Sequence, residues 1–143
     1  YKDLLLRNIM YEIYGWVQLS PINVDDTCDL DLQTRITHVK QLCEDAQWGR
    51  NRIEVLELNG FSTLVVCANP NRKRFEAESL QVILHTIVTE LPHAYGVVYE
   101  YVEQDGDGFG AGSYRVNVIR RGTIEVRQDP FLSPKIPIVE DQV

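Results

Sequence analysis

The dipeptide Asn59-Gly60 constrains the fold of this chain more than any other feature. It lies between two apolar runs rich in β-branched residues, Arg52–Leu58 and Ser62–Ala68. Asparagine followed by glycine accepts the positive φ angles of a two-residue turn, so the three segments together predict a β-hairpin. Arg121-Gly122 is placed in the same way between two later strand-like runs. Two hairpins in one short chain indicate a mostly antiparallel sheet.

Two segments have the period of a helix. Between Asp26 and Trp48, apolar residues recur at alternating four- and three-residue steps, and Asp29 and Asp31 near its start suit the positive end of a helix dipole. The segment Phe75–Leu91 carries a broader apolar stripe and is followed by a proline. The remaining segments alternate, or are rich in aromatic and β-branched residues, and are predicted as strands: Tyr11–Leu19, Tyr95–Val102, Tyr114–Ile119 and Thr123–Arg127.

The predicted order of elements is therefore β-α-β-β-α-β-β-β. Strands joined by hairpins, with two helices between them, predict an α+β fold in which a mostly antiparallel sheet is covered by two helices. A length of 143 residues suits one domain, and neither a linker nor an internal repeat divides it. Because the chain begins with Tyr1 and its one methionine is Met10, residues 1–9 are expected to be added or upstream sequence, and residues 10–143 the domain.

Charge indicates the kind of partner. Twenty-one acidic residues against fourteen basic ones give a net charge of −7, which argues against nucleic acid as a partner because binding phosphates needs a basic face. The segment 75–114 contains seven acidic residues and neither lysine nor arginine. Four of them, at a strand end and its glycine-rich loop, are predicted to meet a basic partner: Glu100, Glu103, Asp105 and Asp107. The alternative is a solvated loop whose charges prevent aggregation at the edge of the sheet.

Aromatic side chains on the first strand offer a second candidate surface. Tyr14 and Trp16 alternate onto the same face as Glu12 and Gln18. An exposed face would make both aromatics interface anchors. A face covered by a helix would make them core, and core is the preferred reading for Trp16. Tyr14 is retained as a candidate contact with a partner.

No catalytic, cofactor or metal motif emerges from the residues. The three histidines lack a nucleophile or an acid at a spacing that local structure would bring together, so they are interpreted as ordinary surface or boundary residues. Asp105-Gly106-Asp107-Gly108 lacks the glutamate that ends a calcium-binding loop, since Val116 stands in its place. We predict a protein that is not an enzyme and that has no cofactor, no metal site and no membrane partner.

The cysteines indicate a compartment. Cys28, Cys43 and Cys67 are odd in number and widely spaced, which indicates neither a disulfide framework nor a zinc site and fits a reducing cytoplasm. Cys43 lies on the apolar stripe of the first predicted helix, and Cys67 lies inside an apolar strand. Both are predicted to be buried and unreactive.

Several segments resemble the Immunity protein 7 family of bacterial polymorphic-toxin and contact-dependent inhibition systems. They are Tyr11-Glu12-Ile13-Tyr14-Gly15-Trp16, the Asn59-Gly60 turn, Tyr95-Gly96-Val97-Val98-Tyr99 and the C-terminal stretch from Asp129 to Asp141. The resemblance extends from about Met10 to Asp141. It implies an α+β protein that is encoded beside a toxin gene and that inhibits a toxin domain, in many cases a nuclease, without a reaction of its own.

The C-terminal stretch is the most specific part of the resemblance. Phe131, Leu132, Ile136 and Ile138 alternate with prolines and polar residues, which predicts an extended segment packed along the domain. Glu140 and Asp141 at its end are further candidate contacts with the toxin.

Three hypotheses follow for the function. The first is a tight-binding inhibitor of a basic toxin domain, a nuclease. The second is a scaffold that oligomerises through a sheet edge, and it requires an apolar self-complementary patch. The third is a small hydrolase that pairs a cysteine with a histidine, and it requires a cleft in which the two meet.

Overall fold

The computed structural model describes residues 11–20, 29–70, 73–102 and 112–132. Among these residues, six strands form one sheet and two helices pack on it. The strands are β1 (Tyr11–Gln18), β2 (Arg52–Leu58), β3 (Phe61–Ala68), β4 (Tyr95–Val102), β5 (Ser113–Arg120) and β6 (Thr123–Gln128), and the helices are α1 (Leu30–Ala46) and α2 (Lys73–Glu90). Their order is the predicted one, and the α+β fold class is confirmed.

Neighbouring strands of the sheet are antiparallel throughout, in the order β2-β3-β1-β4-β5-β6. The first strand of the chain therefore lies in the interior of the sheet, between β3 and β4. Both predicted hairpins are present, because β2 pairs with β3 and β5 pairs with β6. Their turns have the two successive positive φ angles of a type I′ turn, 54° and 79° at Asn59-Gly60 and 51° and 72° at Arg121-Gly122.

Local capping sets the ends of α1. The side chain of Asp29 accepts a hydrogen bond from the backbone nitrogen of Leu32 at 3.0 Å, so the helix begins at Leu30 and not at the predicted Asp26. Gln47 adopts a left-handed conformation directly after Ala46 and ends it. No helix in the described ranges combines the length and the apolarity needed to cross a membrane.

Both helices lie on one face of the sheet. Ile36, Val39 and Cys43 of α1 and the Leu80-to-Ile87 stripe of α2 are buried against it. Six strands about 4.8 Å apart span about 24 Å, whereas each helix is about 10 Å wide. Two helices therefore cover one face only, and the described residues place no helix on the other face.

Candidate functional site

The side chains that point away from the helices form what we call the open face. Antiparallel register assigns its members, because residues directly opposite one another project to the same side. Tyr14 lies opposite Cys67 on β3 and Tyr99 on β4, and Trp16 lies opposite Val65 and Val97. The open face is unusually rich in aromatic and β-branched side chains; its interior strands contribute Tyr14, Trp16, Phe61, Val65, Tyr95, Val97, Tyr99, Tyr101, Tyr114, Val116 and Val118.

Trp16 and Tyr95 are the most accessible aromatics of the open face. Their relative exposures are 45% and 48%, and that of Tyr14 is 36%. The rings of Trp16 and Tyr95 meet edge to face, with centroids 6.1 Å apart and planes at 89°. The preferred assignment of Trp16 to the core was therefore wrong. The alternation of β1 had grouped Tyr14 and Trp16 on one face correctly, but it does not tell which face the helices cover.

The hydroxyl group of Tyr14 has an intramolecular partner. It donates a hydrogen bond to Oε1 of Glu12 at 2.9 Å. Partial burial, together with this carboxylate, raises the pKa of Tyr14 to about 12. Tyr14 is therefore neutral at physiological pH, and it presents a fixed ring to an approaching surface.

A second aromatic cluster lies toward the other end of the open face. The rings of Tyr101 and Tyr114 are 5.1 Å apart between centroids, and those of Tyr99 and Tyr114 are 6.1 Å apart. Tyr101 and Tyr114 are buried, although both helices of the described ranges lie on the opposite side of the sheet. The accessible part of the open face is therefore the end that carries Trp16 and Tyr95.

Ion pairs mark the two margins of the sheet. Nη1 of Arg52 lies 3.8 Å from Oε2 of Glu54 on β2. On β6, Glu125 pairs with Arg127. Oε2 of Glu125 also lies 3.3 Å from Nη2 of Arg120 on β5. The charges of the pair on β2 balance, whereas two arginines share one glutamate at the β6 margin. Between these margins the open face is mostly aromatic and aliphatic.

Glu100, a predicted partner contact, does not lie at the rim. Its side chain has 0% exposure and projects to the helix side of β4. Tyr11 donates to its Oε1 at 2.5 Å, while Nε of Arg115 and Nδ2 of Asn117 donate to its Oε2 at 2.9 and 2.8 Å. Burial opposes ionisation, but these donors and the Arg115 charge outweigh it and lower the pKa of Glu100. The prediction that Glu100 is exposed at the rim was therefore wrong. Its carboxylate is buried and links β4 to side chains of β1 and β5 by hydrogen bonds.

The other predicted acidic contacts lie outside the described residues. These are Glu103, Asp105, Asp107, Glu140 and Asp141. Two residues of the predicted packed tail are described, Phe131 and Leu132, and both are exposed. The prediction that they pack along the domain was wrong, while Ile136 and Ile138 lie outside the described ranges.

The cysteines divide between the two faces. Cys43 is buried on α1 as predicted, and burial raises the pKa of its thiol to about 12. Cys67 is exposed, which contradicts the prediction that it is buried. Its strand is apolar on both sides, and register places it opposite Tyr14 on the open face. Cys28 lies outside the described residues.

The described residues do not bring together a catalytic group. His38, His85 and His93 are all exposed, in agreement with the prediction that they are surface or boundary residues. Nδ1 of His38 lies 2.6 Å from Oε2 of Glu90. Within the described ranges, no three His, Cys, Asp or Glu side chains are placed to hold a metal ion together.

Comparison with known proteins agrees with the resemblance noted in the sequence. No curated protein and no solved structure shows a significant match to the chain. The family model named Immunity protein 7 matches residues 10–141 of the 143. Immunity proteins act by binding toxins and not by catalysis. The chain therefore belongs to the Immunity protein 7 family and is a non-enzymatic protein with a toxin partner.

Proposed function

We propose that this protein binds a cognate toxin domain, a nuclease with a basic surface, in a tight complex in the bacterial cytoplasm, and that the open face forms the centre of the interface. The observation that carries this proposal is the accessible group of Trp16, Tyr14 and Tyr95 on the face of the sheet opposite the two described helices. Tryptophan and tyrosine dominate the energy of protein interfaces because they bury large areas with few rotatable bonds.

The dimensions of the open face suit such an interface. Six strands about 4.8 Å apart and about 24 Å long outline about 600 Å². A stable protein complex buries about 800 Å² on each partner. Because Tyr101 and Tyr114 are already buried, the accessible end of the open face supplies only part of this area, and residues at its rim supply the remainder.

The acidic residues outside the described ranges are proposed as this rim. Glu103 follows directly after β4, whose end pairs with the start of β1 near Glu12. We assign Glu103, Asp105 and Asp107, with Glu140 and Asp141 of the C-terminal stretch, to contacts with basic residues of the toxin. Carboxylates at a rim accelerate encounter with a cationic surface, whereas the aromatic centre supplies the affinity. Nuclease domains carry such a surface because they bind phosphate backbones.

Substitution at the aromatic centre tests this proposal. Trp16→Ala should weaken binding to the toxin domain encoded beside this gene by about 2 kcal/mol or more, which is about thirtyfold in Kd. Leu30→Ala is the matched control, because Leu30 is an exposed apolar residue on the helix side. Calorimetric titration of each variant gives Kd, and thermal melts verify folding. An unchanged Kd for Trp16→Ala would remove the open face from the interface.

Cys67 provides an independent footprint of the same surface. In a Cys28→Ser background, a thiol reagent should label Cys67 in the free protein, and toxin should slow this labelling at least tenfold. Labelling that toxin does not slow would place the interface elsewhere.

Two different experiments test the assignment of the toxin as a nuclease and the alternative that this protein is a scaffold. Stoichiometric addition of this protein should abolish cleavage of DNA or RNA by the toxin domain, and a toxin domain that cleaves neither would refute the nuclease assignment. Self-association through the exposed aromatics, the scaffold hypothesis, would appear in sedimentation as a concentration-dependent dimer that Trp16→Ala dissociates.

A further inference from the structure

β2 is one of the two edge strands of the sheet, since within the described ranges it pairs with β3 alone. An edge strand exposes a row of backbone donors and acceptors, and proteins protect such edges with lysines, prolines, bulges or very short strands. β2 has seven residues in unbroken register with β3, and it contains neither lysine nor proline. Its charged side chains are engaged in ion pairs, Arg52 with Glu54 and Glu57 with Lys40 of α1. β2 is therefore a regular edge without the usual protection.

The outer backbone groups of β2 belong to Ile53, Val55 and Glu57. In an antiparallel ladder, opposite residues alternate between pairs that bond to each other and pairs whose N–H and C=O groups point away from each other. Ser62 lies opposite Glu57, and its carbonyl oxygen accepts a hydrogen bond at 2.9 Å from Leu19, directly after β1. Glu57 therefore directs its N–H and C=O groups away from β3, and alternation places those of Val55 and Ile53 on the same side. An added strand can bind such a row by main-chain hydrogen bonds.

The side chains beside the two edges of the sheet differ. On β6, Glu125 lies between Arg120 and Arg127. On β2, Leu56 and Leu58 have relative exposures of 36% and 55%, and register places both on the open face. Apolar side chains next to an edge offer an added strand a surface to bury, whereas charged ones are better left in water. β2 is therefore the better site for an added strand.

The edge of β2 adjoins the accessible end of the open face. Leu56 lies opposite Thr63 on β3, and Thr63 lies opposite Gln18 on β1. Gln18 in turn lies opposite Tyr95 on β4. A strand added to β2 would lie three strand spacings from β1, or about 14 Å. Since an interface that buries about 800 Å² on each partner is about 30 Å across, one toxin surface can contact Trp16 and Tyr95 and also pair with β2.

The side chains of β2 do not match a second copy of this strand. Two β2 edges related by a two-fold axis pair in antiparallel register, and the register that uses all three outer residues is centred on Val55. It places Leu56 of one copy opposite Glu54 of the other, and Leu58 opposite Arg52. Apolar side chains opposite charged ones forgo the favourable cross-strand pairs that stabilise a sheet. The edge therefore suits a strand of different sequence.

We propose that the outer edge of β2 binds a β-strand of the cognate toxin domain, which adds a seventh strand to the sheet. This inference rests on the proposed function, since it takes the toxin as the partner. Main-chain hydrogen bonds to Ile53, Val55 and Glu57 hold the added strand, and its apolar side chains on the open-face side cover Leu56 and Leu58. The strand supplies part of the contact area that the accessible end of the open face lacks.

Amide hydrogen exchange tests the proposal on the unmodified chain, labelled with ¹⁵N. In the free protein, the outer amides of Ile53, Val55 and Glu57 should exchange faster than those of Glu54 and Leu56, which bond to β3. The toxin domain encoded beside this gene should slow exchange at the three outer amides about tenfold or more, because each gains a hydrogen-bond partner or is enclosed by the added strand. The alternation along β2 is the signature of strand pairing.

The other edge of the sheet is the internal control. Ile124 and Val126 are the outer residues of β6 by the same alternation, and toxin should leave their exchange unchanged. Three results would overturn the proposal. Toxin fails to slow the outer amides of β2, or it slows all amides of β2 equally, which indicates general stabilisation without pairing. In the third, the outer amides are already slow in the free protein, because this chain or a second copy covers the edge.

Proline substitution tests the same hydrogen bonds. Val55→Pro removes one outer N–H group, which an edge strand tolerates because that group has no partner in β3. It should raise the Kd for the toxin domain about tenfold, since a main-chain bond is lost and its acceptor is left unpaired. Val55→Ala keeps the N–H group, and Val126→Pro makes the same change on β6, so each should raise Kd less than about twofold. Calorimetric titration gives Kd, and thermal melts verify folding. Equal effects of Val55→Pro and either control would contradict strand addition.

Trp16→Ala separates failure of this proposal from failure of the proposed function. Both assignments are supported if Trp16→Ala and Val55→Pro each raise Kd. If only Trp16→Ala raises it, strand addition fails and the proposed function stands. If only Val55→Pro raises it, strand addition stands and the open face is not the centre of the interface. If neither raises it, both assignments fail.

Discussion

At the scale of single residues, the burial of Glu100 shows how a charged side chain is retained inside a small domain. Its two carboxylate oxygens receive three hydrogen bonds, from side chains of β1 and β5. Removing such a charge from water is unfavourable unless the site supplies donors and an opposite charge. Here Arg115 supplies the opposite charge, and Tyr11 and Asn117 supply the additional donors.

We predict that Glu100→Gln destabilises the fold by about 3 kcal/mol, because it removes the charged partner of a buried ion pair and replaces one acceptor oxygen with a donor that faces other donors. Urea unfolding measures this difference. Glu54→Gln is the control, since Glu54 forms an exposed pair with Arg52, and exposed pairs contribute about 0–1 kcal/mol. Equal effects of the two substitutions would contradict a structural role for the Glu100 cluster.

The same carboxylate should give stability a dependence on pH. The pKa of Glu100 is lower in the folded protein than in the unfolded chain, where glutamate titrates near pH 4.3. Its contribution is therefore complete above about pH 4.3 and is lost as pH falls through the lower folded value. The difference in unfolding free energy between wild type and Glu100→Gln should be constant from pH 6 to 8 and shrink below about pH 4. A difference that does not shrink in acid would show that Glu100 is not stabilised as the anion.

The reactivity of the cysteines should distinguish the open face of the sheet, which carries Cys67, from the helix side, which carries Cys43. In a Cys28→Ser background, Cys67 should react with a thiol reagent within minutes in native protein, and Cys43 should react only after denaturation. The physical reasons are the exposure of Cys67, and the burial of Cys43 with the resulting rise of its thiol pKa to about 12. Mass spectrometry of tryptic peptides assigns the labelled positions. Native labelling of Cys43 would show that α1 detaches from the sheet.

At the scale of elements, the two strand segments that carried the family resemblance prove to be neighbours in the sheet. β1 pairs with β4, and each contributes a glycine at a close approach of the backbones. A Cβ atom on Gly15 would lie 2.3 Å from the carbonyl oxygen of Val97, and one on Gly96 would lie 2.1 Å from that of Trp16. The two glycines therefore allow these strands a separation that no larger residue permits.

Gly15→Ala should consequently destabilise the protein by about 3 kcal/mol or more, because the added methyl group meets backbone atoms that cannot rotate away. Gly49→Ala is a suitable control. It has a positive φ of 67° but no atom near the added methyl group, so about 1 kcal/mol is expected. Denaturant titration compares the two variants. A smaller loss for Gly15→Ala than for Gly49→Ala would contradict the close approach of β1 and β4.

The elements were predictable because each has a local physical signal. Paired turn residues with positive φ fixed both hairpins, and the helical periods fixed α1 and α2 to within a few residues at each end. The sequence did not predict which face of the sheet the helices cover. For this reason Trp16 and Cys67, which lie on the uncovered face, were wrongly predicted to be buried. Alternation groups residues by face, but β1 and β3 have apolar side chains on both. The signal that was missed is the number of helices, since two of them are too narrow to cover both sides of six strands.

At the scale of the whole molecule, the sheet and the helices give the protein two different outer surfaces. The open face combines exposed aromatics with ion pairs at its margins, whereas α2 carries the exposed apolar residues Phe75 and Val82 together with charges of both signs in its sequence. The acidic balance of −7 is therefore not spread evenly over the described surface. In the proposed complex, long-range attraction of a basic toxin and short-range affinity for it would therefore reside in different residues.

The proposed rim carboxylates should act on the rate of association. Glu103→Lys, Asp105→Lys and Asp107→Lys together change the net charge from −7 to −1. At 10 mM ionic strength, where charges act over about 30 Å, the triple variant should bind toxin at least about tenfold more slowly than wild type. At 1 M, where the range falls to about 3 Å, the two rates should converge. Stopped-flow fluorescence of Trp16 and Trp48 at both ionic strengths measures the difference.

A control variant separates position from total charge. Asp31→Lys, Thr34→Lys and Glu44→Lys change the net charge from −7 to −2 but lie on exposed positions of α1. If the rim residues steer the encounter, this variant should keep most of the wild-type rate, because the potential that guides docking is set by the charges nearest the contact. If both variants slow association equally, net charge alone governs the rate. If the rim variant associates as fast as wild type at low salt, Glu103, Asp105 and Asp107 do not steer the encounter, and the aromatic centre alone must account for recognition of the toxin.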